Sequence, residues 1–137
     1  MTRSRLPRQV RKLLETDVDS IEKIELLRHL RSAAAPVPRA ELARALDLDR
    51  EAADTLIAEL AHAGLVEVVG LLGAVRPGPA AADEACGDLM RIYDEDRAQI
   101  VSVLSTLALQ RIRDMAARTF GEALVSKKKP RDDKDEP

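Results

Sequence analysis

The chain is nearly devoid of aromatic residues: 137 residues hold no tryptophan, one tyrosine (Tyr93) and one phenylalanine (Phe120). A core without rings has to be filled by Leu, Ile, Val and much Ala, which favours helices packed closely together. Cysteine is almost as scarce. Cys86 stands alone, which excludes an internal disulfide and a cysteine-based zinc cluster, so it reads as a small buried or half-buried side chain. The two histidines, His29 and His62, both fall in helical patterns and do not suggest a Ser/His/Asp set. Gly70, Gly73 and Gly78 lack the spacing and the Lys-Ser/Thr ending of a phosphate-cradling loop. Asp94-Glu95-Asp96 are consecutive in a helical pattern, point in different directions, and read as a solvated acidic face. No catalytic, metal-binding or cofactor-binding residue is assigned, and no enzymatic activity is expected.

Long apolar runs are missing too. The longest mostly apolar stretch, Ile100 to Leu109, is interrupted by Ser102, Ser105 and Thr106 and is too short to span a bilayer. Arg3, Arg5, Arg8 and Arg11 are not followed by the apolar segment of a signal peptide. These absences lead to the expectation of a cytoplasmic protein with no membrane partner.

Charge is present in quantity, and its placement is informative. Residues 1–16 carry five basic side chains against Glu15, and residues 126–137 carry five against four acids. The intervening 17–125 hold twelve basic and nineteen acidic residues, a net of −7. The ends are basic and the middle is acidic.

The organising stretch runs from Pro38 to Pro79. Leu42, Ala45 and Leu46 share one helical face, with Leu48 just beyond, and Ala53, Leu56, Ile57 and Leu60 form a second stripe. Asp49 is placed to cap the second helix, and Gly64 to end it. Leu65 to Val69 alternates as a short strand does, and Gly70 to Gly78 supplies a turn and a return.

Glu41-Leu42-Ala43, the break Asp47-Leu48-Asp49, and Leu60-x-x-x-Gly64-Leu65-Val66 together resemble the winged helix-turn-helix of bacterial regulators of the MarR kind. The likeness reaches upstream to about Val18. The whole order also resembles small uncharacterised bacterial winged-helix proteins with a C-terminal helical extension and a basic tail. The implied fold class is mostly α, a winged helix-turn-helix with a short β-ribbon wing and a long C-terminal helical extension. The implied function is that of a transcription regulator, with double-stranded DNA as partner.

The flanks follow from the same reasoning. Pro7, Val10, Leu13 and Leu14 predict a short helix ending near Thr16, within a basic N-terminal segment of residues 1–17. The winged-helix domain is expected over residues 18–79. Asp19 or Ser20 caps a helix whose stripe is Ile21, Ile24, Leu27 and Leu30, and Pro36 and Pro38 restrict any following strand to a minimal one. The extension, 80–126, is expected as one helix or as two broken between Thr106 and Gln110. Leu89, Tyr93, Ile100, Leu104, Leu107, Met115 and Phe120 are its candidate homodimer contacts, with Ala116, Ala117, Gly121 and Ala123 permitting close approach. The alternative is that this helix folds back on the first helices of its own chain. Residues 127–137, without an apolar residue beyond the prolines, are expected as a disordered charged tail.

If the motif reads DNA, the outward positions of its second helix are Arg50, Glu51, Asp54, Thr55 and Ala58, and only Arg50 belongs to the usual readers of base edges. Arg39, Arg44, Arg50, Thr55, Arg76, Lys127, Lys128 and Lys129 are the candidate DNA contacts. Glu51 and Asp54 oppose a phosphate-rich groove. DNA binding is therefore expected to be weak, salt-sensitive and assisted by the basic termini. The competing reading is a protein–protein adaptor that uses the acidic helix or the C-terminal helix and does not contact DNA.

Overall fold

Side-chain caps and prolines set where the helices begin. The computed structural model describes residues 6–134, with side chains described over 6–122. Pro7 and Pro38, whose missing N–H is harmless at a helix entrance, precede α1 (Arg8–Glu15) and α3 (Arg39–Ala45). Ser20 accepts a hydrogen bond from the Lys23 amide at 3.2 Å and opens α2 (Ile21–Arg31). Asp49 accepts one from the Ala52 amide at 2.7 Å and opens α4 (Arg50–His62).

Both helices of the motif end by the same device. After α3, Asp47 takes a left-handed φ of 57°, its amide bonds to the Arg44 carbonyl, and the Leu48 amide bonds to that of Ala43. After α4, Gly64 does this at φ 79°, with its amide on the Ala61 carbonyl and the Leu65 amide on Leu60. Each satisfies carbonyls that a helix end would otherwise leave unpaired. Asp47 tolerates this conformation because a short polar side chain crowds it less than a branched one.

Strands β1 (Val66–Val69) and β2 (Ala74–Pro77) pair antiparallel, with Glu67 opposite Arg76 and Val68 opposite Val75. Between its two prolines, Val37 exchanges both backbone hydrogen bonds with Val75, at 2.7 and 2.9 Å, so the third strand is a single residue. A 3-10 turn, Pro79–Ala82, leads into α5 (Glu84–Glu95). α6 (Arg97–Lys134) follows. Three helices, a tight turn inside the last two, and a β-hairpin make this a winged helix-turn-helix with a C-terminal helical extension.

The core of the wing domain is aliphatic. Leu14, Ile24, Leu26, Leu27, Leu30, Leu42, Ile57, Leu60 and Leu65 are buried, with Val75 contributed by β2. α2 packs against both α4 and β2, so Leu26 is buried alongside the predicted Ile24, Leu27 and Leu30, and Ile21 is only half-buried. In α3 the inward residues are Leu42 and Ala43. Ala45 is exposed and Leu46 half-buried, because the helix ends at Ala45 and its last turn rolls into the left-handed exit. Leu56 of the α4 stripe is likewise only half-buried.

The chain up to Leu104 forms one compact unit and the chain from Ser105 a second. The first contains α1, which packs on α5, so the N-terminal helix is part of a core. The helix break falls at Asp96, between α5 and α6, and α6 runs without interruption through Thr106 to Gln110. Asp96 leaves the helical conformation (φ −150°, ψ 72°), and its carboxylate accepts from the Gln99 amide at 3.3 Å, a cap that a polar residue three positions before Gln supplies. In the second unit Leu109, Ile112, Met115 and Phe120 are exposed. α6 does not end at residue 126, and the tail expected over 127–137 lies outside the residues whose side chains are described.

Candidate nucleic-acid interface

The outward face of α4 is decided by the packing of its inward one. Burial of Ala53, Ile57 and Leu60 leaves Arg50, Glu51, Thr55 and Ala58 exposed, with Asp54 half-buried at the edge. Asp54 is the centre of this surface. Arg39, at the start of α3, places Nη1 at 2.8 Å from Asp54 Oδ1 and donates from Nε to the Gly73 carbonyl at 2.9 Å. Arg50 reaches the other carboxylate oxygen, Nε to Oδ2 at 3.6 Å. One carboxylate thus faces two guanidinium groups, and one guanidinium ties α3, α4 and the hairpin together.

Two cations expected to face DNA are therefore engaged inside the protein. Arg39 is mostly covered, its side chain 24% exposed, and acts as a clamp. Arg50 is 68% exposed and held more loosely, so its pair contributes little to stability. Arg76 is engaged across the hairpin, with Nε and Nη2 at 3.0 and 2.9 Å from Glu67 Oε1 in its register partner. The Thr55 hydroxyl donates back to the Glu51 carbonyl at 3.1 Å. Arg44 is exposed and has no ion pair among the described residues. Lys127, Lys128 and Lys129 lie outside the residues whose side chains are described. From Pro38 to Ala63 three arginines stand against six carboxylates.

The hairpin tip has a different character. Gly70 and Gly73 both have positive φ, 79° and 70°, and between them Leu71 and Leu72 are fully exposed. A Cβ on Gly73 would lie 3.0 Å from Arg39 Nε, so glycine is needed there both for its φ and for the close approach of the clamp. A cation at the tip, the usual means of gripping phosphate, is absent among the described residues 70–73.

A second polar cluster ties α2 to the helices of the extension. The Tyr93 hydroxyl donates to Glu25 Oε2 at 2.5 Å, Arg97 Nη2 lies 3.1 Å from the same oxygen, and the Arg97 guanidinium sits 4.6 Å over the Tyr93 ring. Arg28 Nε donates to Asp94 Oδ1 at 2.8 Å. Burial, and next the Glu25 carboxylate, push Tyr93 from its ordinary 10.0 up to about 12. Beside this cluster lies a cavity of about 430 Å³ with Met90 and Leu46 in its walls, but Arg28 there is already paired with Asp94.

The candidate dimer contacts separate into two groups. Leu89, Tyr93, Ile100, Leu104 and Leu107 are buried within the single chain, at 8% exposure or less, whereas Met115 and Phe120 stand 65% and 66% exposed. Leu89 and Tyr93 are consumed by the core of the first unit, because α5 packs on α1, and Ile100 and Leu104, at the start of α6, are buried in that same unit. Neither the Arg39–Asp54 clamp nor the Tyr93–Glu25 bond was visible in local sequence, since each joins residues fifteen or more positions apart.

No protein-family model matches the chain, and no curated protein matches it significantly. Among solved structures, it is similar to the multiple antibiotic-resistance repressor (MarR) of Listeria monocytogenes 4b F2365, at 12% identity and a TM-score of 0.46, over 87% of this chain and 82% of that one. The fold assignment rests on the chain's own elements. Among the described residues no helix is long and apolar enough to cross a membrane, and no group of three or more His, Cys, Asp or Glu is placed to hold a metal ion.

Proposed function

We propose that this chain is a non-enzymatic, regulator-type winged-helix protein whose motif works as a protein-contact module, with α4 not entering a DNA groove. The observation that carries this reading is the Asp54 carboxylate, which engages Arg39 and Arg50 on the very surface that a DNA reader offers to phosphate. Glu51, one helical turn away, carries a negative charge with no ion pair among the described residues, and a carboxylate held against phosphate is repelled by roughly 1 kcal/mol even in a solvent-like dielectric. A winged helix whose recognition-face arginines are engaged by its own carboxylate and whose wing tip is apolar has the surface of an adaptor.

The second reading, weak binding to the DNA backbone, is favoured by Arg44, exposed and without an ion pair among the described residues, and by the basic ends of the sequence. Fluorescence anisotropy with mixed-sequence duplexes at about 50 and 200 mM salt separates the two, because several phosphate contacts change affinity by orders of magnitude over that range. The adaptor reading expects no binding at the lower salt. Tight binding that Arg50→Glu abolishes would make α4 a DNA reader. Binding that Arg50→Glu leaves intact, with a salt slope flattened by removal of residues 127–137, would assign the contact to the termini.

The proposal extends to assembly. The exposed side of α6, with Leu109, Ile112, Met115 and Phe120 each more than half exposed, is proposed to be covered by a second copy of the chain.

A further inference from the structure

The exposed apolar side of α6 is one face of a regular helix. At about 100° per residue, Leu109, Ile112, Met115, Ala116 and Phe120 fall within an arc of about 140°. Arg111, Asp114, Arg118 and Glu122 fall on the opposite side, so covering the apolar arc desolvates none of these four charges. Charge is also uneven along the helix. Residues 105–131 hold seven basic side chains against Asp114 and Glu122, a net of +5. Where α6 begins, the sign is reversed. From Asp83 to Arg97 six carboxylates stand against Arg91 and Arg97, and the Arg28 partner of Asp94 still leaves three in excess.

We infer that a second copy packs its α6 antiparallel to the first, with Ile112 opposite Phe120 and Ala116 on the two-fold axis. This rests on the assembly proposed above and names the geometry of its contact. Packed helix axes lie about 8–10 Å apart, and charges are screened beyond a Debye length of about 8–10 Å. A parallel pair in register sets Lys127–Lys129 of both copies side by side, inside that range, where they repel. In the antiparallel pair, a rise of about 1.5 Å per residue separates the two Lys128 positions by about 36 Å along the axis. Residues 127–131 then run beside residues 101–105 of the other copy, about 8 Å along the axis from Asp96 and the acidic end of α5. Side-chain size fits this register. Ile112 and Phe120 fill the layers on either side of the axis, and the Ala116 methyls let the helices approach closely between them.

The test is disulfide trapping of cysteine variants of the full-length chain, with the buried Cys86 left in place. Two cysteines bridge only where their Cα atoms lie within about 7 Å. Antiparallel packing sets Ile112 and its own counterpart about 12 Å apart along the axis, so Ile112→Cys alone and Phe120→Cys alone should give no cross-linked dimer. An equal mixture of the two variants should give one, and Ala116→Cys should cross-link by itself. Replacing Lys127, Lys128 and Lys129 together with Gln should weaken dimerisation severalfold at low salt, read by light scattering on dilution, whereas a parallel pair would tighten. Cross-linking of Ile112→Cys alone, a mixture that fails to cross-link while Ala116→Cys succeeds, or a dimer tightened or unmoved by the three Gln changes overturns the antiparallel inference and leaves the dimer standing. A chain that is monomeric at tens of micromolar and is not trapped by Ala116→Cys overturns both.

Discussion

Tyr93 and Lys23 show how single side chains couple this fold to pH. Lys23 is 6% exposed and bonds through Nζ to Asp19 Oδ1 and Glu59 Oε1, both at 2.9 Å, so it holds the start of α2 against α4. Burial pulls its pKa down, but the hydrogen bonds to Glu59 and Asp19 outweigh it, and the amine stands above its ordinary 10.5. Tyr93 is raised from 10.0 to about 12, by burial first and then by Glu25. In both groups the fold favours the protonated form. Their stabilisation is whole below the ordinary values and is lost as pH rises through the folded ones, for Tyr93 between 10.0 and about 12. Because this is the chain's only tyrosine and there is no tryptophan, phenolate absorbance reports the group directly. Its titration midpoint should lie near 12, and Glu25→Gln should lower it while burial keeps it above 10.0. A midpoint at the ordinary value in the parent protein would mean that Tyr93 is neither buried nor bonded to Glu25 in solution.

Among the elements, the hairpin depends on the helix-turn-helix for its placement, and Gly73 is where the dependence is tightest. Its φ of 70° and a virtual Cβ 3.0 Å from Arg39 Nε leave no room for a side chain unless the clamp shifts. Gly73→Ala should destabilise the protein by about 1–2 kcal/mol, the cost of a left-handed alanine, and should free Arg39 from the Gly73 carbonyl. Arg39→Ala should lose a comparable amount, since it removes hydrogen bonds to a carboxylate and a carbonyl from a half-buried site. Urea midpoints of the two single variants and the double variant check this. Losses in the double variant that simply add would show that the glycine and the clamp act independently. The elements were largely legible in sequence because Ser20, Asp49 and Gly64 act on backbone groups within five residues of themselves. The break at Asp96 was misplaced because the apolar wheel is least clean near Thr106, whereas the chain interrupts its helix at a capping residue.

For the molecule as a whole, the open question of assembly lies in α6. An exposed apolar face along a helix of this length needs cover, and a second copy would supply it with Leu109, Ile112, Met115 and Phe120. Light scattering at tens of micromolar should give the mass of a dimer, on the order of twice a single chain. Met115→Glu with Phe120→Glu should return it to a monomer, while Leu89→Ala should destabilise the fold, by about 2–5 kcal/mol, without being an interface change. A parent protein that is monomeric at that concentration would reject the proposed dimer.

Read alone, the sequence determined the order of helices, the helix caps, the hairpin and the acidic character of the motif. Those properties arise from periodicity and from hydrogen bonds between near neighbours, which a linear string records. Only the tertiary structure decided which charges are available and which apolar residues are covered. Arg39, Arg50 and Arg76 read as free cations until packing brought Asp54 and Glu67 to them. Leu89 and Tyr93 read as contacts for a second copy until α5 folded onto α1. An ion pair or a buried face depends on where the chain returns in space, so the recognition surface took its character from the fold.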